Sequence, residues 1–123
     1  MSDRQTEPRI EVLWWEGCPS TPRVLEMLRG ITEELGLDFE STVSLRQIES
    51  EEQAQRERFA GSPTIRIDGR EFQPTAGPYR LTCRLYRLAD GRPSPLPDRD
   101  QLRAFVAAAL ERNGEPDKEV PDR

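Results

Sequence analysis

The 123-residue chain contains no histidine. The missing imidazole excludes catalysis by Ser-His-Asp or Cys-His groups and every metal site that needs a histidine ligand. Only two cysteines are present, Cys18 and Cys83, which are too few for a closed structural zinc site. Covalent chemistry in this protein must therefore use a thiol, a carboxylate, a guanidinium or a hydroxyl.

The sequence also lacks a long apolar run and a concentrated basic surface. No stretch approaches the roughly 20 apolar residues that cross a bilayer, and the polar N-terminal residues lack the apolar core of a secretory signal. The net charge is −5 and the arginines are scattered among acidic residues, whereas nucleic-acid binding requires a massed basic face. We therefore expect a soluble, cytoplasmic protein that binds neither a membrane nor nucleic acid.

The length predicts a single domain with a modest core. Hydrophobic residues make up 34% of the chain and charged residues 33%, which excludes a large apolar interior. We expect a disordered lead-in at residues 1–8, one domain at residues 9–114 and a flexible tail at residues 115–123. Within the domain, residues 74–97 are predicted to form an inserted irregular segment.

Residues 9–15 alternate at first and then become apolar, which predicts a strand that enters a buried sheet. A helix follows, with four apolar residues spaced by 4, 3 and 4 positions on one face. These residues are Val24, Leu28, Ile31 and Leu35. Gly36 is typical of the position just after a helix. The helix has two possible starts, one capped by Cys18 and one by Thr21, each with a proline at the first helical position.

The next part of the chain predicts a strand and a second helix. Residues 39–45 are expected to form the strand, with Val43 and Leu45 on one face. The Ser-Glu-Glu-Gln sequence at residues 50–53 matches a capping box, so a helix is expected to run from there to about Phe59. 

A hairpin and an irregular segment complete the order of elements. Residues 64–67 form a short strand, Asp-Gly a two-residue turn, and residues 70–72 the returning strand. Leu81, Cys83 and Leu85 share one parity, which predicts an extended segment with Cys83 facing inward.

A last helix is expected to begin near Asp98 or Asp100. Its apolar residues fall on one face at helical spacing. They are Leu102, Phe105, Val106, Ala109 and Leu110. The predicted helix would therefore pack against the sheet.

Cys18 stands where the first predicted strand ends and the first helix begins. Unpaired N–H groups and the positive end of a helix favour a thiolate over a thiol. A free thiol has a pKa near about 8.5, and such a position lowers it. Because the thiolate is the nucleophile, Cys18 is the candidate reactive group. The alternative is a buried, inert cysteine.

Two short motifs frame this cysteine and a proline. Residues 14–21 read Trp-Trp-Glu-Gly-Cys-Pro-Ser-Thr, and residues 61–64 read Gly-Ser-Pro-Thr, with Pro63 placed 45 residues after Cys18. The first motif resembles the C-x-x-C or C-x-x-S turn of the thioredoxin-like superfamily, in a monothiol form. The second, followed by a strand and a turn, resembles the cis-proline loop of that superfamily. The resemblance covers about residues 9–72 and the final helix.

The resemblance implies a thioredoxin-like three-layer α/β sandwich with a central mixed sheet in βαβαββα order. It implies that the Ser62–Pro63 peptide bond is cis. It also implies that Ser62, Pro63 and Thr64 dock an extended thiol substrate. Of Trp14 and Trp15, one is expected in the core and the other, Trp15, in the wall of the site.

The same resemblance implies that Cys18 is the attacking thiolate and that Thr21 donates a hydrogen bond to it. Because Thr21 replaces the second cysteine of the turn, no disulfide can form within the turn. Cys83 lies in a segment similar to small bacterial thioredoxin-like proteins, some of them labelled alkylmercury lyase-like. Cys83 is then a distant resolving thiol, a partner of Cys18 in binding a soft metal ion, or a packed core residue.

The function predicted is that of a thiol–disulfide oxidoreductase without a cofactor. Its partners would be thiols and disulfides of proteins or of low-molecular-weight compounds. One alternative is a protein that binds mercury or copper(I) through thiolates. The other alternative is a non-catalytic thioredoxin-like interaction domain.

Overall fold

The structure, a computed structural model, describes residues 8–113 as a mixed α/β protein. Its strands are β1 Ile10–Trp14, β2 Val43–Gln47, β3 Thr64–Ile67, β4 Arg70–Glu71, β5 Tyr86–Arg87 and β6 Pro93–Ser94. Its helices are α1 Thr21–Glu34, α2 Phe39–Thr42, α3 Glu51–Glu57 and α4 Arg99–Asn113. The predicted tail at residues 115–123 and all but the last residue of the predicted lead-in at residues 1–8 lie outside the described residues.

Four strands form one sheet in the order β2-β1-β3-β4. The strand β1 runs parallel to β2, with Ile10 opposite Val43, and antiparallel to β3, with Ile10 opposite Ile67. The short β4 returns antiparallel to β3 through a tight turn. The helices α1 and α2 supply the long connection that parallel neighbours require. The predicted mixed sheet is therefore confirmed.

Two apolar clusters lie on opposite faces of β1. Adjacent residues of a strand point to opposite faces, and both Val12 and Leu13 are fully buried. Val12 belongs to the larger cluster, to which α1 contributes Leu28 and α4 contributes Val106. Leu13 belongs to the smaller cluster, to which α3 contributes Ala54. The strand β1 therefore lies at the centre of the apolar interior.

Helix α1 confirms the predicted apolar face and the predicted end. Three of the four predicted residues are completely buried, namely Val24, Leu28 and Ile31. At the C-terminal end, the Leu37 N–H donates to the Thr32 carbonyl at 2.8 Å. Gly36 has a φ of +74°, which a glycine adopts without steric cost. The glycine therefore ends the helix as predicted.

The structure corrects the start of α1. The N-cap is Ser20, whose side chain makes no capping hydrogen bond, so neither Cys18 nor Thr21 caps the helix. The Ser20 carbonyl accepts a hydrogen bond from the Val24 N–H at 3.1 Å. Pro22 lies in the first turn, where an N–H would have no partner within the helix. Cys18 therefore lies two residues before the cap, where the positive end of the helix acts on it less directly.

The predicted strand at residues 39–45 is wrong in its first half, where the chain forms the short helix α2. The Asp38 carboxylate accepts a hydrogen bond from the Ser41 N–H at 3.1 Å and so favours a helical turn. The strand β2 begins only at Val43. Leu45, predicted on the same face as Val43, is 54% exposed, so that face is open at this position.

The predictions based on local hydrogen bonds are confirmed. The Ser50 hydroxyl accepts a hydrogen bond from the Gln53 N–H at 3.0 Å and caps α3. This helix ends slightly earlier than predicted, because Arg58 adopts a left-handed conformation with a φ of +56°. The two turn residues between β3 and β4 have φ values of +54° and +83°, as a two-residue hairpin requires.

The parity predicted for the segment around Cys83 is wrong. Arg84 and Tyr86 are buried, whereas Cys83 is exposed and Leu85 is 62% exposed. The apolar alternation fails because this segment buries polar side chains that find hydrogen-bond partners. The neighbouring strands β5 and β6 form a separate two-stranded sheet.

The final helix begins after Asp98, one of the two predicted starts. The Asp98 carboxylate accepts hydrogen bonds from the N–H groups of Asp100 and Gln101 at 2.9 and 3.3 Å. Three of the five residues of the predicted face are buried, namely Leu102, Val106 and Ala109. None of the helices in the described part of the chain combines the length and the apolar character needed to cross a membrane.

Candidate functional site

Cys18 lies in the loop between β1 and α1 and is only 5% exposed. Its N–H donates to the Trp15 carbonyl at 3.0 Å, which closes a tight turn. The Trp15 ring lies against Gly17, so a Cβ atom at this position would lie 2.4 Å from a ring carbon. The Cys18 thiol donates to the Ser62 carbonyl oxygen, with the sulfur and oxygen 3.3 Å apart. The turn therefore directs the thiol inward, against the loop that precedes β3.

Ser62 connects the elements of the site through all its polar groups. Its hydroxyl accepts a hydrogen bond from the Trp15 N–H at 3.0 Å and lies 3.4 Å from the Thr21 hydroxyl oxygen. Its N–H donates to the Thr82 carbonyl at 2.7 Å, and its carbonyl also accepts from the Arg84 N–H at 3.1 Å. Ser62 is completely buried. The Ser62–Pro63 peptide bond is cis, as predicted.

Residues 81–85 form a covering segment, which we call the strap. Cys83 pairs with Ser62 as an isolated parallel bridge. At Gly61, a Cβ atom would lie 2.6 Å from the Cβ of Arg84 and 2.9 Å from its main-chain nitrogen. The missing side chain of Gly61 therefore lets the strap approach the loop closely.

The strap covers the surface that was predicted to dock a substrate. Ser62, Pro63 and Thr64 are all buried, and the N–H and carbonyl of Ser62 already bind the chain's own main chain. These residues are therefore not an open edge for an extended peptide, which corrects that prediction. The sequence did not show this, because the apolar alternation of the covering segment indicates the wrong inward face.

Two side chains anchor the strap, and sequence reasoning missed both. The Arg84 guanidinium lies 3.2 Å from a Glu71 carboxylate oxygen and donates to the Gln73 carbonyl at 2.6 Å. It also stacks on the Tyr86 ring, 4.3 Å from the ring centre. The Tyr86 hydroxyl donates to the Pro63 carbonyl. A buried arginine carries no sequence signal of its burial, because only its partners in the fold make burial tolerable.

The strap brings the two cysteines together. Both cysteines are free thiols, and each acts on the pKa of the other, so the two side chains are close enough to interact. Cys83 is exposed, so it is not the packed core residue that its parity with Leu81 and Leu85 suggested. Cys18 is therefore enclosed, whereas Cys83 has exposed surface.

The two thiols differ in acidity. Burial acts to raise the pKa of Cys18, but hydrogen bonds from the Cys83 thiol, the Ser20 N–H and the hydroxyls of Ser62 and Ser20 together lower that pKa below its ordinary value. Burial, the hydrogen bond to Cys18 and repulsion from the Cys18 thiolate raise the pKa of Cys83 to about 11. Cys18 is therefore the group that becomes a thiolate first, and Cys83 keeps the shared proton.

The residues around Cys18 differ in part from those predicted. The Thr21 hydroxyl contacts Ser62 instead of Cys18, and Ser20 supplies the donors at the turn. The Trp15 N–H donates to the Ser62 hydroxyl oxygen, so the hydrogen of that hydroxyl is available to donate to the Cys18 sulfur. Trp15 is half-buried beside the smaller apolar cluster, as a wall residue would be. Trp14 is also half-buried, so it is not the core residue of the pair.

The chemistry available at this site is that of two adjacent thiols. Among residues 8–113 no cluster of three or more His, Cys, Asp or Glu side chains is arranged to hold a metal ion. The pair of thiols can lose two electrons and two protons to become a disulfide, or it can offer two sulfur ligands to an ion.

No protein-family model matches the chain, and no curated protein matches it.

Proposed function

We propose that this chain is a thiol–disulfide oxidoreductase-like protein in which Cys18 and Cys83 alternate between two thiols and one internal disulfide. The observation that carries the proposal is the convergence of the two cysteines on Ser62, where each thiol acts on the pKa of the other. Ser62 holds both cysteines, since it accepts a hydrogen bond from Cys18 and pairs with Cys83 through the main chain. This arrangement favours a disulfide, which needs two cysteines whose backbones are close together.

An internal disulfide between these residues would replace the disulfide of a C-x-x-C turn. Thr21 occupies the fourth position of the turn and has no sulfur. When the Cys18–Cys83 bond closes, two electrons and two protons pass to an external disulfide, which is released as two thiols. That disulfide belongs to a protein or a low-molecular-weight compound. The exchange needs no cofactor, because the electrons move with the sulfur–sulfur bonds.

The proposal includes a thioredoxin-like fold. It is supported by the strand order β2-β1-β3-β4, by the parallel pairing of β1 with β2 and by the antiparallel pairing of β1 with β3. The apolar clusters on the two faces of β1, one with α1 and α4 and the other with α3, support a three-layer arrangement. The position of Cys18 between β1 and α1, and of Pro63 just before β3, agrees with the resemblance of the two motifs.

The test is an equilibrium redox titration of the intact chain. The protein is incubated in glutathione buffers of increasing oxidised fraction, quenched with acid and alkylated, and its free thiols are counted by mass spectrometry. We expect two thiols under reducing conditions and none under oxidising conditions, with a single transition and no bound glutathione at equilibrium.

Two variants serve as controls for this titration. Cys18→Ser and Cys83→Ser each leave one thiol, which cannot form the internal disulfide and is expected to take up glutathione instead. The proposal would be contradicted if the wild-type protein bound glutathione at both cysteines, as the two variants do one at a time, instead of forming the internal disulfide. If neither thiol reacts until the protein unfolds, the interaction-domain alternative is the better description.

A second candidate function is the binding of a soft metal ion. It is favoured by a specific observation: the two thiols lie together and no third ligand of the usual types joins them within residues 8–113. Two thiolates suit ions that accept two-coordinate sulfur, such as copper(I) or mercury(II). One copper(I) ion bound per reduced chain, and lost in either serine variant, would support this function. If the reduced protein cannot compete with a thiol chelator for copper(I), the metal-binding function is excluded.

A further inference from the structure

The two sulfur atoms of the site are not equally open to an external reactant. Cys18 is only 5% exposed, and its sulfur faces the Ser62 carbonyl at 3.3 Å. Cys83 is exposed on the outer side of the strap. A thiolate attacks a disulfide in line with the sulfur–sulfur bond, from the side opposite the leaving sulfur, so access to that side decides which sulfur is attacked. Cys83 is therefore the more accessible of the two cysteines.

The strap also occupies the main-chain groups with which a substrate could be held beside Cys18. The Ser62 N–H binds the Thr82 carbonyl at 2.7 Å, and the Ser62 carbonyl binds the Arg84 N–H at 3.1 Å. The strap is held in place by the ion pair of Arg84 with Glu71. An external peptide therefore finds no free hydrogen-bonding edge at Ser62 while the strap is seated.

We infer that external thiols and disulfides react with Cys83. Cys18 is the enclosed sulfur, which is expelled when the internal disulfide opens and attacks the Cys83 sulfur when the disulfide forms again. This inference rests on the proposed function, since it describes how the Cys18–Cys83 disulfide is opened. It reverses the roles that the sequence motif predicted, in which Cys18 makes the external attack and Cys83 resolves. The partner is a thiol or disulfide that reaches an exposed sulfur without inserting into the loop.

The surroundings of Cys18 suit a leaving group. The sulfur that is expelled from the disulfide departs with the electron pair, and a sulfur of lower pKa leaves faster. Burial raises the pKa of Cys18, and hydrogen bonds from Ser20 and Ser62 act against it by stabilising the thiolate. The pKa of Cys83 is raised to about 11, so Cys83 is the poorer leaving group of the two. Access and leaving-group stability therefore favour the same direction of attack.

The reaction balances as two successive exchanges. An external thiolate attacks the Cys83 sulfur, the bond to Cys18 breaks, and the electron pair stays on Cys18 as a thiolate. A second external thiolate attacks the outer sulfur of the mixed disulfide, so an external disulfide is released and Cys83 leaves as a thiolate that takes a proton from water. The reverse sequence oxidises the protein: Cys83 attacks an external disulfide, and Cys18 then attacks the Cys83 sulfur and expels a thiolate.

The experiment uses the wild-type protein oxidised to its internal disulfide. Glutathione is mixed with it for short times, the exchange is stopped with acid, and free thiols are blocked with N-ethylmaleimide at low pH. Trypsin separates the two cysteines into peptides covering residues 10–23 and residues 81–84. Mass spectrometry then shows which cysteine carries glutathione and which carries the maleimide. The same reaction in urea, where neither sulfur is enclosed, gives the reference ratio.

We expect glutathione on Cys83 in about tenfold or greater excess over Cys18 in the folded protein, and a ratio near one in urea. Equal labelling in the folded protein, or an excess on Cys18, would overturn the inference while the internal disulfide, and thus the proposed function, still stands. If oxidation yields no internal disulfide at all, the proposed function fails, and the inference fails with it. The two failures are therefore distinguished by the starting material of the experiment.

Discussion

Strand β1 pairs with β3, and the strap pairs with Ser62 just before β3, but the two bury different kinds of side chain. In β1 the buried residues are apolar, and Val12 and Leu13 have no exposed surface. In the strap the apolar Leu85 is 62% exposed, while the charged Arg84 is buried. The apolar pattern therefore predicts the orientation of β1 correctly and that of the strap incorrectly.

Apolar periodicity decides the orientation of an extended segment only where much apolar surface is buried on it. β1 has neighbours on both sides and an apolar cluster on each face, so turning it over would expose several apolar side chains at once. The strap touches the loop through a single bridge and one pair of anchors. Turning the strap over would expose little apolar surface, so the hydrogen-bond partners available to Arg84 decide which side of the strap faces inward.

The largest effect is expected in the apolar interior. Leu28→Ala removes a completely buried side chain from the cluster between α1, α4 and the sheet. We expect a loss of about 3–5 kcal/mol in the free energy of unfolding, because the cavity adds to the lost burial. Urea denaturation measures it. A loss under about 1 kcal/mol would mean that this cluster is not closely packed and would weaken the contrast with the strap.

A smaller loss is expected at the strap anchor. Arg84→Met leaves the Glu71 carboxylate and the Gln73 carbonyl each without one partner, which we expect to cost roughly 2 kcal/mol. The cost stays moderate because the variant also removes the Arg84 Nε atom, which is buried without a partner among the described residues. The variant should also loosen the strap, so that the alkylation rate of Cys18 rises in native buffer.

The matched control for the anchor is Arg92→Met. The Arg92 side chain is 72% exposed and pairs with Asp90 at the surface, so its removal should change the stability by less than about 0.5 kcal/mol. The alkylation rate of Cys18 should stay at the wild-type value. If both variants lose the same stability, the burial of Arg84 does not hold the strap.

The pH dependence of stability distinguishes the two sulfurs in the reduced protein. The pKa of Cys83 is raised to about 11, so the unfolded chain loses this proton first and stability should fall between about pH 9 and 11. The pKa of Cys18 is lowered, so the folded chain loses that proton first and stability should rise as the pH approaches the ordinary value for a thiol. Urea unfolding at successive pH values shows the resulting maximum.

Cys83→Ser is the variant that checks this profile. It has no thiol at position 83, so the fall that belongs to Cys83 should disappear. The raised pKa of the buried Tyr86 hydroxyl contributes to the alkaline loss in both proteins and cancels in the comparison. An unchanged profile in the variant would show that Cys83 does not hold the shared proton.

The smallest effect is expected for Leu85→Ala. The side chain is 62% exposed on the outer side of the strap, so the free energy of unfolding should change by less than about 0.5 kcal/mol. The parity read from the sequence places the same residue inward, where the loss would be several times larger. This variant therefore decides directly between the two orientations of the strap.

Several parts of the structure could be predicted because their causes lie within a few residues. The cap at Ser50, the glycine after α1 and the two-residue turn after β3 depend on local hydrogen bonds or on local backbone freedom. The buried face of α1 and the strand β1 depend on apolar spacing, which is visible in the sequence. The local signals failed at residues 39–42, where the Asp38 cap made a helical turn instead of a strand.

Strand β1, the position of Cys18 between β1 and α1, and the lack of imidazole chemistry follow from local pattern and composition. Only the tertiary structure decided that the strap covers Ser62, that Cys83 reaches Cys18, and that Cys18 is the enclosed sulfur. These features depend on contacts between distant residues, since Cys83 pairs with Ser62 across 21 positions and Cys18 contacts Ser62 across 44. The physical reason is that the burial of Arg84 and Tyr86 is favourable only when Glu71, Gln73 and Pro63 are already in place to accept their hydrogen bonds.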